Sequence, residues 1–158
     1  MISDRKASKF GTVAAAAVAV GVAFGIAGSD VASADHHNYE KRNAAMKSMG
    51  RAMKKLGAAV GTGNNADAAA AAQEIAALAD STPELFAVKE ITDKSRAKDE
   101  VWTNMDDFTA KAAATASAAK KVASDAIDGT LAKNQKAIVG SIGVTCGGCH
   151  KVYRAEKS

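Results

Sequence analysis

Apolar side chains recur every three or four residues along most of this 158-residue chain, and that spacing restricts the fold to packed helices. Clusters of Gly, Asn, Ser, Thr and Pro separate neighbouring helical segments, and no segment alternates as a strand would. Most connections are short, so the sequence predicts an all-α, antiparallel up-down-up-down four-helix bundle. The four predicted helices lie at about 38–60, 66–80, 99–127 and 130–155.

Large side chains are scarce in the predicted core. Alanine dominates the second and third segments, and the whole chain has only seven aromatic residues. Alanine favours helix, and its small side chain lets neighbouring helices approach closely. In the first segment, Met46, Met49 and Met53 continue with Leu56 and Val60 in a 3-4-3-4 spacing, which is typical of a packed seam.

The two cysteines of the chain lie near its C-terminus in the sequence Cys146-Gly147-Gly148-Cys149-His150. On a helix, Cys146, Cys149 and His150 share one face because they stand at i, i+3 and i+4. This pattern is the attachment signature of c-type haem. Each thiol forms a thioether with one haem vinyl group, and the adjacent histidine ligates the iron. The sequence therefore predicts one covalent haem c, attached through both cysteines and ligated axially by His150.

The cysteine pair has two other interpretations. A thiol–disulfide site of thioredoxin type needs a βαβ context, and the sequence has no alternating run. A closed zinc site needs four ligands, whereas the other histidines, His36 and His37, stand at the far end of the chain. A thiol–disulfide or metal-binding module would be distinguished by the absence of covalently bound haem.

Four glycines weaken the predicted last helix by about 1 kcal/mol each relative to alanine. Glycine also lets a flat macrocycle come near the backbone. We therefore expect the cofactor to offset the weakness of this helix. The four positions are Gly140, Gly143, Gly147 and Gly148.

The N-terminus resembles an export signal. Arg5, Lys6 and Lys9 precede a weakly apolar stretch at 12–28, and Ala32-Ser33-Ala34 fits a signal-peptidase site. A retained transmembrane helix would need about 20 strongly apolar residues. The sequence predicts cleavage after Ala34, a single mature domain at 35–158 in the periplasm, and no stable membrane insertion after cleavage.

The net charge excludes one class of partner. The formal charge is +4, and removal of three basic and two acidic residues with the signal leaves about +3. This excess is too small and too dispersed for nucleic-acid binding, but it biases encounters towards acidic proteins. Because no nucleophile–base constellation is evident, we do not predict an enzyme.

Beyond the haem motif, the chain resembles the class II cytochromes c, the cytochrome c′ family, over essentially the whole mature sequence. Cytochrome c′ is itself an established example of a four-helix bundle. The last helix at 142–154 is similar to the family's ending, G-x-x-C-x-x-C-H-x-x-Y-R. Residues 95–102, with Phe108, resemble the entry into the family's third helix, and Tyr39-x-x-Arg42-x-x-x-Met46 resembles its first helix.

The resemblance implies roles for three further residues. In the family, the residue four positions after the first-helix arginine faces the distal side of the iron, opposite the histidine. Leucine or phenylalanine there leaves a five-coordinate iron, whereas methionine gives a six-coordinate, low-spin iron; Met46 holds this position. Met49 and Met53 are the next candidates for the ligand, followed by His36 or His37. Arg42 and Arg154 are either adjacent to the haem or solvent-exposed charges of the bundle.

The leading expectation is therefore a periplasmic electron-transfer cytochrome with His150 and Met46 as axial ligands and periplasmic redox proteins as partners. The alternative is a five-coordinate cytochrome c′ that binds NO or CO on an open distal side. A homodimer through the first two helices, which is common in the family, is compatible with the alanine-rich second helix.

Overall fold

The computed structural model describes residues 37–132 and 134–156. The predicted signal, its cleavage site and His36 lie outside these residues. Helix α2 packs against α1 and α5, and α6 packs against α5 and α1. The predicted all-α four-helix bundle is confirmed. The helices are α1 His37–Thr62, α2 Asn65–Asp80, α3 Thr82–Leu85, α4 Glu100–Thr103, α5 Met105–Ile127 and α6 Gln135–Tyr153.

Local signals set several helix ends. Gly63 adopts a φ of 71° just after α1, a backbone conformation that glycine accepts without strain. The Asn64 side chain accepts a hydrogen bond from the backbone N–H of Asp67 at 3.1 Å, and so caps α2. The Asn134 side chain caps α6 by accepting from the N–H of Ala137 at 3.1 Å.

Two predicted helices differ from the observed ones. The third is interrupted at Asn104, so α4 and α5 are separate helices. Contacts made across the fold accompany this break. The indole N–H of Trp102 donates to the Phe86 carbonyl at 2.8 Å, and the Tyr153 hydroxyl, which donates to Asp107, lies 3.4 Å from the Asn104 carbonyl oxygen. The fourth begins at Gln135 rather than near residue 130. The Asn134 cap fixes this start.

Most of the interior is an alanine-rich core between the long helices. Twelve of its nineteen buried residues are alanine, so α1, α2 and α5 can pack closely. Leu56, Ile75 and Ile142 are its largest fully buried side chains. The predicted methionine seam contributes Met49, which is buried, and Met53, which is half-buried.

A second group of buried side chains, the aromatic cluster, lies where α4, α5 and the end of α6 meet. Its members are Phe86, Val101, Phe108 and Tyr153. The ring of Phe108 contacts Phe86 and Tyr153 edge-on, with centroid distances of 4.9 and 5.2 Å. Edge-to-face contacts of this kind add to the energy gained by burial alone.

Residues 87–99 form an irregular segment, here called the strap, that is hydrogen-bonded to both α1 and the end of α6. On the α1 side, Glu90 accepts from the Tyr39 N–H at 3.2 Å and from the Arg42 guanidinium at 2.5 Å. On the α6 side, the Lys98 N–H donates to the Tyr153 carbonyl at 3.0 Å. A single antiparallel bridge between Ala97 and Arg154 accompanies this bond.

Within residues 37–132 and 134–156, no helix is both long enough and apolar enough to cross a membrane.

Candidate functional site

The helices and the strap enclose a cavity of about 550 Å³ beside the aromatic cluster. This volume falls in the range of roughly 300–1,000 Å³ that is usual for small-molecule and cofactor sites. The structure brings all six predicted site residues to its walls. They are Arg42 and Met46 from α1, Cys146, Cys149 and His150 from α6, and Arg154 just beyond α6.

Helix α6 presents the attachment motif on one wall. Cys146, Cys149 and His150 are half-buried, and both cysteines are free thiols. Burial raises the pKa of both thiols. Burial also lowers the pKa of His150, and the positive charges of Arg154 and Arg96 lower it further. The uncharged imidazole that results is the form that binds a metal.

Helix α1 presents three thioethers to the same cavity, from Met46, Met49 and Met53. They differ in their surroundings. Met46 and Cys149 pack against the aromatic cluster, whereas Met49, Met53 and Cys146 belong to or pack against the alanine-rich core. Met46 is thus the one of the three that shares the aromatic end of the cavity with Cys149.

Arg42 is a buried cation, with only 3% of its surface exposed, so of the two alternatives for this residue the solvent-exposed one does not hold. Its Nη2 donates to the Glu90 carbonyl, and its guanidinium carbon lies 5.0 Å from the centre of the Phe86 ring. Its Nη1 has no hydrogen-bond partner among the described residues. Burial lowers the pKa of Arg42, while Glu90 acts in the opposite direction. A buried cation is costly unless it is paired, so an anionic group in the cavity would complete this site.

Positive side chains dominate the polar lining of the cavity. Its described walls include four cations, Arg42, Lys94, Arg96 and Arg154, and no carboxylate. Arg154 is exposed. The Arg96 side chain is held in place by a hydrogen bond, which its Nε donates to the Ala155 carbonyl at 2.9 Å. The two propionates of a haem are the kind of negative charge that this lining suits.

Some features of the site were not predicted. Lys94 and Arg96 come from the strap, whose sequence has no periodicity to indicate what it covers. Of the four α6 glycines, only Gly143 lines the cavity, so the expected close approach of a macrocycle is restricted to that position. Gly50 of α1 also lines it. His37, an outside candidate for the iron ligand, is exposed at the start of α1 and is not part of the cavity wall.

The donor set fits a covalent haem. The cavity is lined by two thiols and an imidazole from one helix and by three thioethers from another, and these groups match the ligand chemistry of haem c. The unpartnered nitrogen of Arg42 matches a propionate. Among the described residues, no group of three or more His, Cys, Asp or Glu could hold a metal ion.

Comparisons with known proteins agree with this fit. The sequence profile of the family described as cytochrome C′ matches residues 37–154. A cytochrome c′ from Pararhodospirillum photometricum is 40% identical over 119 residues, covering 73% of this chain and 94% of that protein. A cytochrome c-556 from Agrobacterium fabrum is 37% identical over 125 residues, covering 75% and 81%. The crystal structure of cytochrome c′ from Thermochromatium tepidum aligns with a TM-score of 0.65 and 30% identity, covering 77% of this chain and 98% of that one.

Fold and site together define a four-helix-bundle haem protein. The chain belongs to the cytochrome c′ family, and is a haem c-binding electron-transfer cytochrome. The prediction of one haem c per chain is confirmed. A thiol–disulfide or metal-binding module does not agree with this family.

Proposed function

We propose that Cys146 and Cys149 attach the haem, that His150 is its proximal ligand, and that the protein transfers single electrons between periplasmic redox proteins. One observation carries this proposal: α6 presents the three attachment side chains to a cavity that is also lined by three thioethers of α1. When bound, the haem supplies one-electron exchange at its iron, and the axial ligands and burial set the potential.

The chain's own residues hold the cofactor in place. Arg42 supplies a buried donor for a propionate, and Arg154 supplies an exposed cation at the cavity mouth. Burial, and then the charges of Arg154 and Arg96, lower the pKa of His150, which favours the uncharged imidazole that can ligate iron. The aromatic cluster gives the Cys149 side of the cavity an apolar wall.

Two states of the iron remain as candidates, and they differ in the role of residue 46. The comparisons give more support to a five-coordinate iron, because the family profile and the relatives from Pararhodospirillum and Thermochromatium are named cytochrome c′. In that state Met46 is part of an apolar distal wall, and NO or CO binds on the open side of the iron.

The six-coordinate state is favoured by a specific observation at Met46. This residue lines the cavity, and it packs against the same aromatic cluster as Cys149. A thioether is a soft ligand suited to reduced iron, and methionine–histidine ligation raises the reduction potential. A low-spin iron with both axial positions filled would then restrict the protein to electron transfer.

The visible spectrum of the reduced holoprotein, with and without CO, tests both states. If Met46 ligates the iron, the wild type is low-spin and resists CO, and Met46→Leu becomes high-spin and binds CO readily. Met53→Leu is the matched control, because Met53 is another half-buried methionine of α1 on the same cavity. Immediate CO binding by the wild type would establish the five-coordinate state.

Haem attachment is tested by intact mass. The mature wild type should exceed its polypeptide mass by one haem, and Cys146→Ala with Cys149→Ala should carry none covalently. The same measurement locates the N-terminus, which we propose to be Asp35 after export to the periplasm. A haem-free wild type from a host that matures c-type cytochromes would overturn the proposed function.

A further inference from the structure

Charge is divided unequally between the two halves of the bundle. Helices α1 and α6 together contain eight lysine or arginine residues and one glutamate, a net charge of +7. Helices α2 and α5 together contain three lysines and six carboxylates, a net charge of −3. The overall charge of the chain hides this division.

The cations of the two halves also differ in their partners. Each of the three α5 lysines lies within 4 Å of a carboxylate: Lys111 of Asp107 at 3.7 Å, Lys120 of Asp80 at 2.8 Å and Lys121 of Asp125 at 3.0 Å. Among the eight cations of α1 and α6, only Lys55 has such a partner within the described residues, Glu74 at 3.3 Å. The positive charge of α1 and α6 is therefore largely uncompensated within the fold.

Two of the uncompensated cations, Lys54 of α1 and Lys136 of α6, lie at the line along which α1 meets α6, here called the seam. Lys47, Arg51 and Lys54 are exposed and stand at i, i+4 and i+7 on α1, so they share a face. On α6, Lys136 and Lys151 are exposed near the two ends of the helix.

The seam contains an open groove that shares one wall residue with the haem cavity. Lys54 and Gly57 of α1 line the groove opposite Lys136 and Gly140 of α6. Met53 lines both the groove and the cavity. A molecule seated along the seam would therefore lie beside the wall of the cavity.

We propose that the seam is the docking surface for an acidic electron-transfer protein. This inference rests on the proposed electron-transfer function, and adds the chemistry of the partner and the face that it uses. Complementary charge steers encounter and speeds association, particularly at low salt. A second copy of this chain is disfavoured as the occupant, because two seams would bring like charges together.

Stopped-flow mixing of oxidised holoprotein with a reduced plant-type [2Fe–2S] ferredoxin, an acidic protein of low potential, tests the proposal. The seam variant is Lys54→Glu with Lys136→Glu, two exposed residues of the groove that do not line the haem cavity. The matched control is Lys120→Glu with Lys121→Glu, which makes the same change in net charge on α5. Breaking the exposed ion pairs of the control costs little stability.

We expect the second-order rate constant of the seam variant to fall by about tenfold at low ionic strength, and its dependence on salt to flatten. The control should keep most of the wild-type rate. Equal slowing of both variants would show that only net charge matters, and would overturn the proposal, as would an unchanged rate in the seam variant.

Two further outcomes would assign the seam to another occupant and also overturn the proposal. One is a holoprotein dimer, seen by sedimentation, that the seam variant abolishes. The other is flotation with anionic lipid vesicles that only the seam variant loses. Failure of the proposed function would look different, because the protein would then lack covalent haem or fail to be reduced even by dithionite.

Discussion

The alanine-rich core and the aromatic cluster are packed in opposite ways. In the core, small side chains bring α1, α2 and α5 close together. At the aromatic end, larger side chains stand around a cavity of about 550 Å³. The first region should thus be stable without the cofactor, whereas the second should depend on it.

Removal of the haem should have the largest effect and should separate the two regions. We expect Cys146→Ala with Cys149→Ala to lose amide hydrogen-exchange protection in 143–153 and in the strap, while α2 and α5 keep most of theirs. The physical reason is that α6 has four glycines, each costing about 1 kcal/mol, and forms one wall of the cavity that the haem would fill. Equal loss of protection in all helices would show that the two regions are one cooperative unit.

A substitution that leaves a cavity in the alanine-rich core should lower the free energy of unfolding by the same amount with or without haem. Leu56 is fully buried there, so Leu56→Ala should lower the free energy of unfolding by about 2–5 kcal/mol. Urea unfolding of the holoprotein and of the cysteine-free form measures both values. A loss confined to the holoprotein would mean that this core is also maintained by the cofactor.

A substitution at Arg42, in contrast, should lower stability mainly when haem is bound, because the cofactor completes the environment of this side chain. Arg42→Met should destabilise the holoprotein by about 1–3 kcal/mol, the cost of leaving a buried charged group without its partner. The apoprotein should be affected much less, and the holoprotein's potential should fall because a cation near the haem is lost. Arg51→Met, on the exposed side of the same helix, is the control. An equal effect on both forms would contradict a role towards the haem.

The titration of Tyr153 should have the smallest effect on stability, and this effect should be visible only at high pH. Burial, with the hydrogen bond from its hydroxyl to Asp107 at 2.5 Å, raises its pKa from 10.0 to about 12. The unfolded chain loses this proton near pH 10, so the stabilisation is present below pH 10 and is lost as the pH rises towards 12. The melting temperature of the wild type should therefore fall more steeply over this window than that of Tyr153→Phe. Parallel curves would show that the tyrosine titrates normally.

The parts of the structure that the sequence predicted depend on local chemistry. Asn64 and Pro83 mark the limits of α2 because capping and the missing N–H of proline act within a few residues. The cavity wall on α6 follows from the spacing of Cys146, Cys149 and His150. The position of Met46 followed from family resemblance, because three methionines of α1 fit the residue pattern equally well.

The parts that were not predicted depend on contacts between distant residues. The break at Asn104 accompanies long-range contacts that involve Phe86 and Tyr153, which no local pattern reveals. Arg96 reaches the cavity because the strap pairs with the chain end, 59 positions away in the sequence. The burial of Arg42 depends on the strap in the same way, through Glu90.

The strap has a mechanical consequence. Insertions in surface loops are usually tolerated, because lengthening a flexible loop costs little entropy. Here the segment is anchored at Glu90 to α1 and at Lys98 to the end of α6. Its length between these anchors limits how far the two walls of the cavity can separate. We therefore expect the number of residues between them to be as tightly constrained as the identity of a ligand.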